Sequence, residues 1–291
     1  MRLFAFLLLR LVLAFEALPA FASSVNVIFY DNRFGAVNDT TGAYSAVSTL
    51  PISKAGGLAG LNGMLYLEDF GNNLYSVDSV TGSASLVGNT GANLSLAAFG
   101  GDSNGLFELD YASNLYSINA QTGGAKLVGA TGISANNGQD DTSLSASGTL
   151  LYYTEGRSGS RDELYTIDMT TGKATDLGST GVTGVAGSAI VNGSLELFQY
   201  GQDDKNYIYS AALGTTNFAR VSRLNAQIID GGVAVGSFSA VGASASSAQS
   251  AVPEPGSWGL FLFGLGLSAA LRRGKQWFGD CTDASQTSSP R

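Results

Sequence analysis

An all-β fold is predicted for this chain by a recurring phrase, by the two-residue alternation inside it, and by its turn chemistry. LYSVDSVTGSASLVGNTG begins at Leu74, LYSINAQTGGAKLVGATG at Leu115 and LYTIDMTTGKATDLGSTG at Leu164. Looser copies, FGAVNDTTGAYSAVS and IYSAALGTTNFARVS, begin at Phe34 and Ile208. Successive copies start 40 to 49 residues apart, the spacing of propeller blades or of helical arrays. Within LYSVD and LYSIN, residues alternate between two faces and are enriched in β-branched and aromatic types, with no 3.6-residue stripe, so the repeats are strands. The runs Asp78 to Gly82, Asn119 to Gly123 and Asp168 to Gly172 read as hairpin turns. In each, the Asx side chain caps local N–H groups and the glycine takes the left-handed conformation that closes the turn.

Each unit supplies four strands, which in the second unit are expected at Met64 to Glu68, Asn73 to Asp78, Ala84 to Gly88 and Leu94 to Phe99. Five such units, from about Val25 to Val241, predict a β-propeller of about five four-stranded blades, an architecture that leaves only short sheet edges. An N-terminal signal helix and a short C-terminal transmembrane helix are expected to flank it. A β-solenoid is disfavoured because its repeats are usually far shorter. The repeat also resembles the loose consensus of quinoprotein-like propellers, a likeness that implies fold alone.

Composition narrows the function. The 291 residues include 39 glycines, 44% are hydrophobic and 13% charged, and 15 basic against 23 acidic side chains leave a net charge of −8. Low charge with high hydrophobicity excludes wholesale disorder. An acidic chain whose one basic cluster, Arg272, Arg273 and Lys275, adjoins an apolar segment is not a nucleic-acid ligand. There is no histidine, which excludes the Ser-His-Asp triad, the Cys-His dyad and His-ligated zinc. The single cysteine, Cys281, has no partner for an intramolecular disulfide.

Both ends read as signals. Residues 1–22 have a positive start, an apolar run and the small-residue pattern Ala20-Phe21-Ala22, and are expected to be a secretory signal peptide cut between Ala22 and Ser23. An uncleaved anchor is the alternative, although the run is shorter than a spanning helix requires. Near the other end, Val252-Pro253-Glu254-Pro255 precedes a 14-residue apolar or small-residue run, Trp258 to Leu271, and then Arg272-Arg273. The positive-inside rule keeps the arginines cytoplasmic and everything before Pro253 outside. These features together resemble a PEP-CTERM sorting signal, found on exported proteins of exopolysaccharide-producing Gram-negative bacteria. The resemblance implies exosortase as the processing partner, transient anchoring in the membrane, cleavage near Pro253-Glu254-Pro255 and delivery to the cell surface or matrix. Such signals usually end soon after the basic cluster, whereas here Gln276 to Arg291 follow. The expected organisation is therefore a signal peptide at 1–22, a propeller at 23–242, a flexible linker at 243–252, the sorting signal at 253–275 and a polar tail at 276–291.

Candidate sites follow from symmetry, since a residue repeated at one blade position forms a ring. After the first strand of successive units stand Asp31, Asp69, Asp110 and Glu155, with Gln199, Asp203 and Asp204 in the fifth unit. Converging at one mouth of the channel, the acids could hold Ca²⁺ or hydrogen-bond sugar hydroxyls. The competing reading is that they are ordinary turn residues at strand ends. Asn137 to Asp141 form a second acidic loop without EF-hand spacing. Tyr75, Tyr116 and Tyr165 recur at one strand position and fit inter-blade packing better than a sugar-stacking row. No cofactor and no catalytic residue is assigned.

Two function classes remain. The first is a non-catalytic cell-surface or extracellular-matrix protein that binds exopolysaccharide or a surface protein. The alternative is a secreted propeller glycoside hydrolase or lyase working with paired carboxylates, for which Glu155 and Glu108 are the candidates.

Overall fold

The computed structural model describes residues 24–29, 31–90, 96–134, 142–156, 160–199, 206–224 and 238–239. All lie within one compact unit, Met1–Ala245. The two terminal signals and the flanking helices expected for them lie outside the described residues, and among the described residues no helix is long and apolar enough to cross a membrane.

The described chain is an all-β propeller of five blades. The first is the antiparallel sheet β1 (Ser24–Ile28), β2 (Arg33–Asn38) and β3 (Tyr44–Thr49). The second holds β4 (Ala55–Leu61), β5 (Met64–Asp69), β6 (Asn73–Val77) and β7 (Ala84–Asn89), the third β8 (Leu96–Asp102), β9 (Gly105–Asp110), β10 (Asn114–Ile118) and β11 (Ala125–Ala130). The fourth holds β12 (Thr142–Ser147), β13 (Leu150–Glu155), β14 (Glu163–Asp168) and β15 (Ala174–Ser179), the fifth β16 (Val185–Val191), β17 (Ser194–Gln199), β18 (Tyr207–Ala212) and β19 (Ala219–Arg223). A last strand, β20 (Phe238–Ser239), runs parallel to β16 and lies beside β4, β8 and β12 as well, at the centre of the ring.

The blade begins one strand earlier than the repeat suggested. Leu96–Asp102 pairs with Gly105–Asp110 of its own blade, not with Ala84–Asn89, so the fourth strand expected of the second unit is the first of the third blade. The reason lies in the turns. Leu61 pairs with Met64 across Asn62-Gly63, and Val191 with Ser194 across Asn192-Gly193. Both turns have positive φ at both central residues, 50° and 80° in the first and 50° and 77° in the second. This is the two-residue geometry whose twist matches that of the flanking strands.

The inner strands read AGGLAGL, LAAFGGD, TSLSAS and VAGSAIV. Small side chains let them crowd the axis: a β-carbon on Gly57 would stand 2.6 Å from Phe99 Cβ, and the buried hydroxyls of Ser145 and Ser188 meet at 2.7 Å across the seam between blades four and five. Larger residues fill the spaces between blades. Leu74, Phe99, Leu106 and Ile118 pack between blades two and three, Leu109, Leu144, Leu151 and Tyr153 between three and four, and Leu164, Val185, Leu195 and Leu197 between four and five. Blade one is held on both sides by a cluster that includes Val27, Phe34, Leu67 and Phe198. Truncating any of these leucines to alanine would cost about 2–5 kcal/mol.

Three devices recur. In every blade the outer two strands slip register by one residue, leaving Val47, Val87, Val128, Leu177 or Val221 in a bulge that increases the local twist. In every blade the residue after the outermost strand donates its N–H to the turn between the second and third strands of a four-stranded blade, from Leu50 to Asn32, Thr90 to Asn72, Thr131 to Ser113, Thr180 to Asp162 and Leu224 to Asn206, at 2.8 to 2.9 Å. Finally, the Asx-x-x-Thr-Gly hairpin turns form as the sequence predicts: Asp78 Oδ1 accepts from the N–H groups of Val80 and Thr81 at 2.9 and 2.7 Å, and Gly82 N–H closes on the Asp78 carbonyl at 2.8 Å.

Those turns also clasp blade to blade. Gly82 lies against Ser48 of the first blade, Gly123 and Thr122 against Gly88 of the second, and Thr171 and Gly172 against Gly129 of the third. Gly42 of the first blade lies against the Arg223 carbonyl, and Ser222 Oγ donates to the Asp39 carbonyl at 2.9 Å, which closes the ring between blades five and one. Between blades four and five no such clasp forms among the described residues: a β-carbon on Gly178 or Gly214 would meet no atom within 4 Å.

Candidate functional site

Of the acids proposed as a ring, Asp69, Asp110 and Glu155 are the last residues of the second strands of their blades, and Asp31 follows β1. Two of them, Asp69 and Asp110, are hydrogen-bonded within their own blades. Asp69 is 1% exposed and is consumed by its own blade: Oδ1 accepts from the N–H groups of Gly71 and Asn73 at 2.8 and 2.9 Å and from Asn73 Nδ2, and Oδ2 accepts from Ser53 Oγ at 3.1 Å and Tyr75 Oη at 3.2 Å. Asp110 repeats the motif, accepting from Asn114 N–H at 2.7 Å, Asn114 Nδ2 at 3.1 Å and Tyr116 Oη at 3.3 Å. In the fifth blade Gln199 Oε1 takes the hydroxyl of Tyr209 at 3.3 Å. Glu155 is buried, and Asp31 is partly exposed and paired with Arg33 Nε at 2.6 Å. Among the described residues, no three Asp, Glu, His or Cys side chains are grouped to hold a metal ion.

The recurring tyrosines thus join the inside of each blade. Tyr75 and Tyr116 brace the acid six residues before them, while Tyr165 is buried against Tyr153 with ring centroids 6.2 Å apart. Next to Asp69, Phe70 is 43% exposed and carries Lys54 Nζ 5.1 Å above its ring centroid, a pairing of flat apolar surface and cation. Asp203, Asp204 and Asn137 to Asp141 lie outside the described residues, as do Ala20, Ala22, Ser23 and the sorting-signal residues Val252 to Pro255, Arg272 and Arg273.

Three buried acids that the ring reading did not include form the most unusual electrostatic feature. Glu68 and Glu108 are 0% exposed, and apart from each other no protein group offers a hydrogen bond to any of their four carboxyl oxygens. Gly57 lies opposite Glu68 and Phe99 opposite Glu108, and Gly57 packs against Phe99, so the two acids turn toward each other at the seam between blades two and three. Burial pushes Glu68 well above the usual carboxylate range, with the Glu108 charge, the hydrogen bond to Glu108 and the Asp69 charge adding to it. Burial raises Glu108 to about 8, against the hydrogen bond it accepts from Glu68, with Asp110 raising it further. Glu196, whose Oε2 also lacks a partner, is raised to about 8 by burial and then by the Asp39 charge across the seam between blades five and one.

A signal for these acids exists in the repeat. Aligning Asp69 with Asp110 puts Glu68 level with Leu109 and Glu108 level with Leu67. Strand residues one apart face opposite ways. Leu109 packs toward the following blade and Leu67 toward the preceding one, so Glu68 faces forward, Glu108 faces back, and the two meet. Glu108, one of the residues suggested for carboxylate catalysis, is therefore shut away from any polymer, and Glu155 is 4% exposed.

Comparison with known proteins supports this architecture and identifies the C-terminal segment. Residues 251–275 match the family model of the PEP-CTERM protein-sorting motif. No curated protein matches the chain. Among solved structures, a protein of unknown function from Bacteroides thetaiotaomicron aligns with a TM-score of 0.51 at 15% identity, over 68% of this chain and 55% of that one, a likeness of fold. A nidogen/laminin complex aligns at a TM-score of 0.49 and 11% identity, over 68% of this chain and 76% of that one. The protein is an all-β five-bladed propeller that carries a PEP-CTERM sorting motif at residues 251–275.

Proposed function

We propose that this is an exported protein of the cell surface or extracellular matrix whose propeller is a non-catalytic binding or structural module associated with exopolysaccharide. The PEP-CTERM motif carries this reading, because it implies sorting by exosortase, with the C-terminus anchored in the membrane until it is processed. The secretory character of residues 1–22 and the fourteen-residue apolar run before Arg272 support the same route. Phe70 beneath Lys54 offers a sugar face an apolar plate and a cation, while Asp69 and Asp110 are engaged within their blades.

The test combines two measurements. Mass spectrometry of the protein recovered from its host is expected to show an N-terminus at Ser23 and a C-terminus near Pro253-Glu254-Pro255, both requiring the export route and exosortase. An intact precursor in the cytosol would refute the assignment. The purified body, incubated with a panel of polysaccharides, is expected to retain one without generating new reducing ends, and Phe70→Ala is expected to weaken that retention. New reducing ends abolished by Glu155→Gln would instead establish an enzyme.

A further inference from the structure

We propose that Glu68 and Glu108 share a proton across the seam between the second and third blades, and that this proton is a lock whose release at alkaline pH loosens the seam. All four carboxyl oxygens are buried with no other protein donor in reach, and the residues paired with the two acids, Gly57 and Phe99, pack against each other across the seam. Two desolvated carboxylates in contact would repel strongly, and each would pay the full cost of burial without compensation. One hydrogen between them removes the repulsion and supplies the missing bond, as in paired acids that cannot both ionise.

Strands β4 to β10 supply no cationic counter-charge. The chain has no Lys or Arg between Lys54 and Lys126, so none stands on β4 to β10. β4 has no ionisable residue and β8 has only Asp102 at its far end. On the strands carrying the pair and those beside them stand Asp69, Asp110, Tyr66, Tyr75 and Tyr116, each acidic or neutral. Opposite Glu68 lie Gly57 and Leu74, and opposite Glu108 lie Phe99 and Tyr116. Gly57 leaves room for Phe99 to pack against its backbone: a β-carbon there would stand 2.6 Å from Phe99 Cβ. The carboxyls also sit where the pleat must bring them together, as the opposite parity of the two positions requires.

Burial pushes both groups upward in pKa, which agrees with this geometry. A shared proton makes the seam tight in acid and at neutrality and weak once it is lost.

The experiment uses the full-length chain. Urea midpoints are measured between about pH 6 and about pH 9 for wild type, Glu68→Gln, Glu108→Gln and the double variant, whose two amides can still hydrogen-bond to each other. The wild-type midpoint is expected to fall with pH, and the fall is expected to shrink by at least about half in the double variant. Infrared spectra at neutral pH supply a readout independent of unfolding: a protonated-carboxyl carbonyl band is expected in wild type and expected to weaken in either single variant. A pH profile unchanged by the double substitution, or a carbonyl band unaffected by either single one, would overturn the proposal. So would a midpoint that rises with added Ca²⁺ in wild type but not in Glu108→Gln, since a cation would then occupy the proton's place.

Discussion

A β-carbon on Gly129 would stand 2.7 Å from the carbonyl oxygen of Thr171, so the outer strand of the third blade and the hairpin turn of the fourth touch backbone to backbone. Real β-carbons do not approach a carbonyl so closely. Gly129→Ala must push the turn away and disturb the neighbouring bond from Ala174 N–H to the Thr131 carbonyl, 3.1 Å long. A loss of about 1–3 kcal/mol is expected for overpacking of this kind. Chemical denaturation checks it, with Gly132→Ala as a comparison that isolates backbone strain, since a β-carbon there has open space but Gly132 has φ of +85°.

The Asp69 clamp separates two sizes of effect. Tyr75→Phe deletes one hydrogen bond to a partner that keeps several others, and is expected to cost about 1 kcal/mol. Asp69→Ala strands the N–H groups of Gly71 and Asn73, the Asn73 amide and the hydroxyls of Ser53 and Tyr75 together, and is expected to cost about 3 kcal/mol or more. Comparing the two thermal midpoints, and the Asp110 and Tyr116 counterparts, tests whether the repeated acid is a brace within the blade.

Stability is expected to fall as pH rises above about 4.5, the value the glutamates have when unfolded. In the folded state Glu196 keeps its proton to about 8, and the coupled Glu68–Glu108 pair holds its shared proton above the ordinary carboxylate range. Between these values the unfolded chain binds fewer protons than the folded one, so unfolding becomes easier with pH, by at most about 1.4 kcal/mol per pH unit for each group. Glu196→Gln removes one such group at the seam between blades five and one, and is expected to flatten the profile independently of the Glu68–Glu108 pair. Urea midpoints across the pH range measure both.

Replacing Glu254 by alanine is expected to leave the C-terminal segment uncut and the protein in the membrane fraction, since Pro253-Glu254-Pro255 is the part of the motif nearest the expected cleavage. Replacing Arg272 and Arg273 together is expected to impair retention at the membrane before processing. The intact mass of the chain in membrane and culture fractions distinguishes these outcomes.

What the sequence disclosed was what short-range chemistry determines. Asp78 and Thr81 are three residues apart, so their turn could be read directly, and Leu74 to Gly88 alternate plainly enough to be strands. The phase of the blade could not be read so well. AGGLAGL looks like a loop until Asn62-Gly63 is recognised as the two-residue turn that pairs it with Met64–Asp69. Symmetry correctly aligned Asp69 with Asp110, but alignment alone does not say where a side chain points, and Asn73 and Tyr75, four and six residues on, draw Asp69 into its own blade. The Glu68–Glu108 encounter depends on opposite parity in neighbouring repeats, which a search for identical positions passes over.

The seams differ in one way that bears on how the circle comes apart. Blades five and one are not consecutive in the described strand order, yet the fold latches them with Gly42 on Arg223. Blades four and five, which lack that latch among the described residues, are continuous along the backbone, and Asp162 ties them by accepting from Val185 N–H at 2.7 Å. The joint without that glycine contact is therefore one that the backbone, the Ser145–Ser188 hydroxyl pair and the Asp162–Val185 bond already hold, so the circle has no seam left to packing alone.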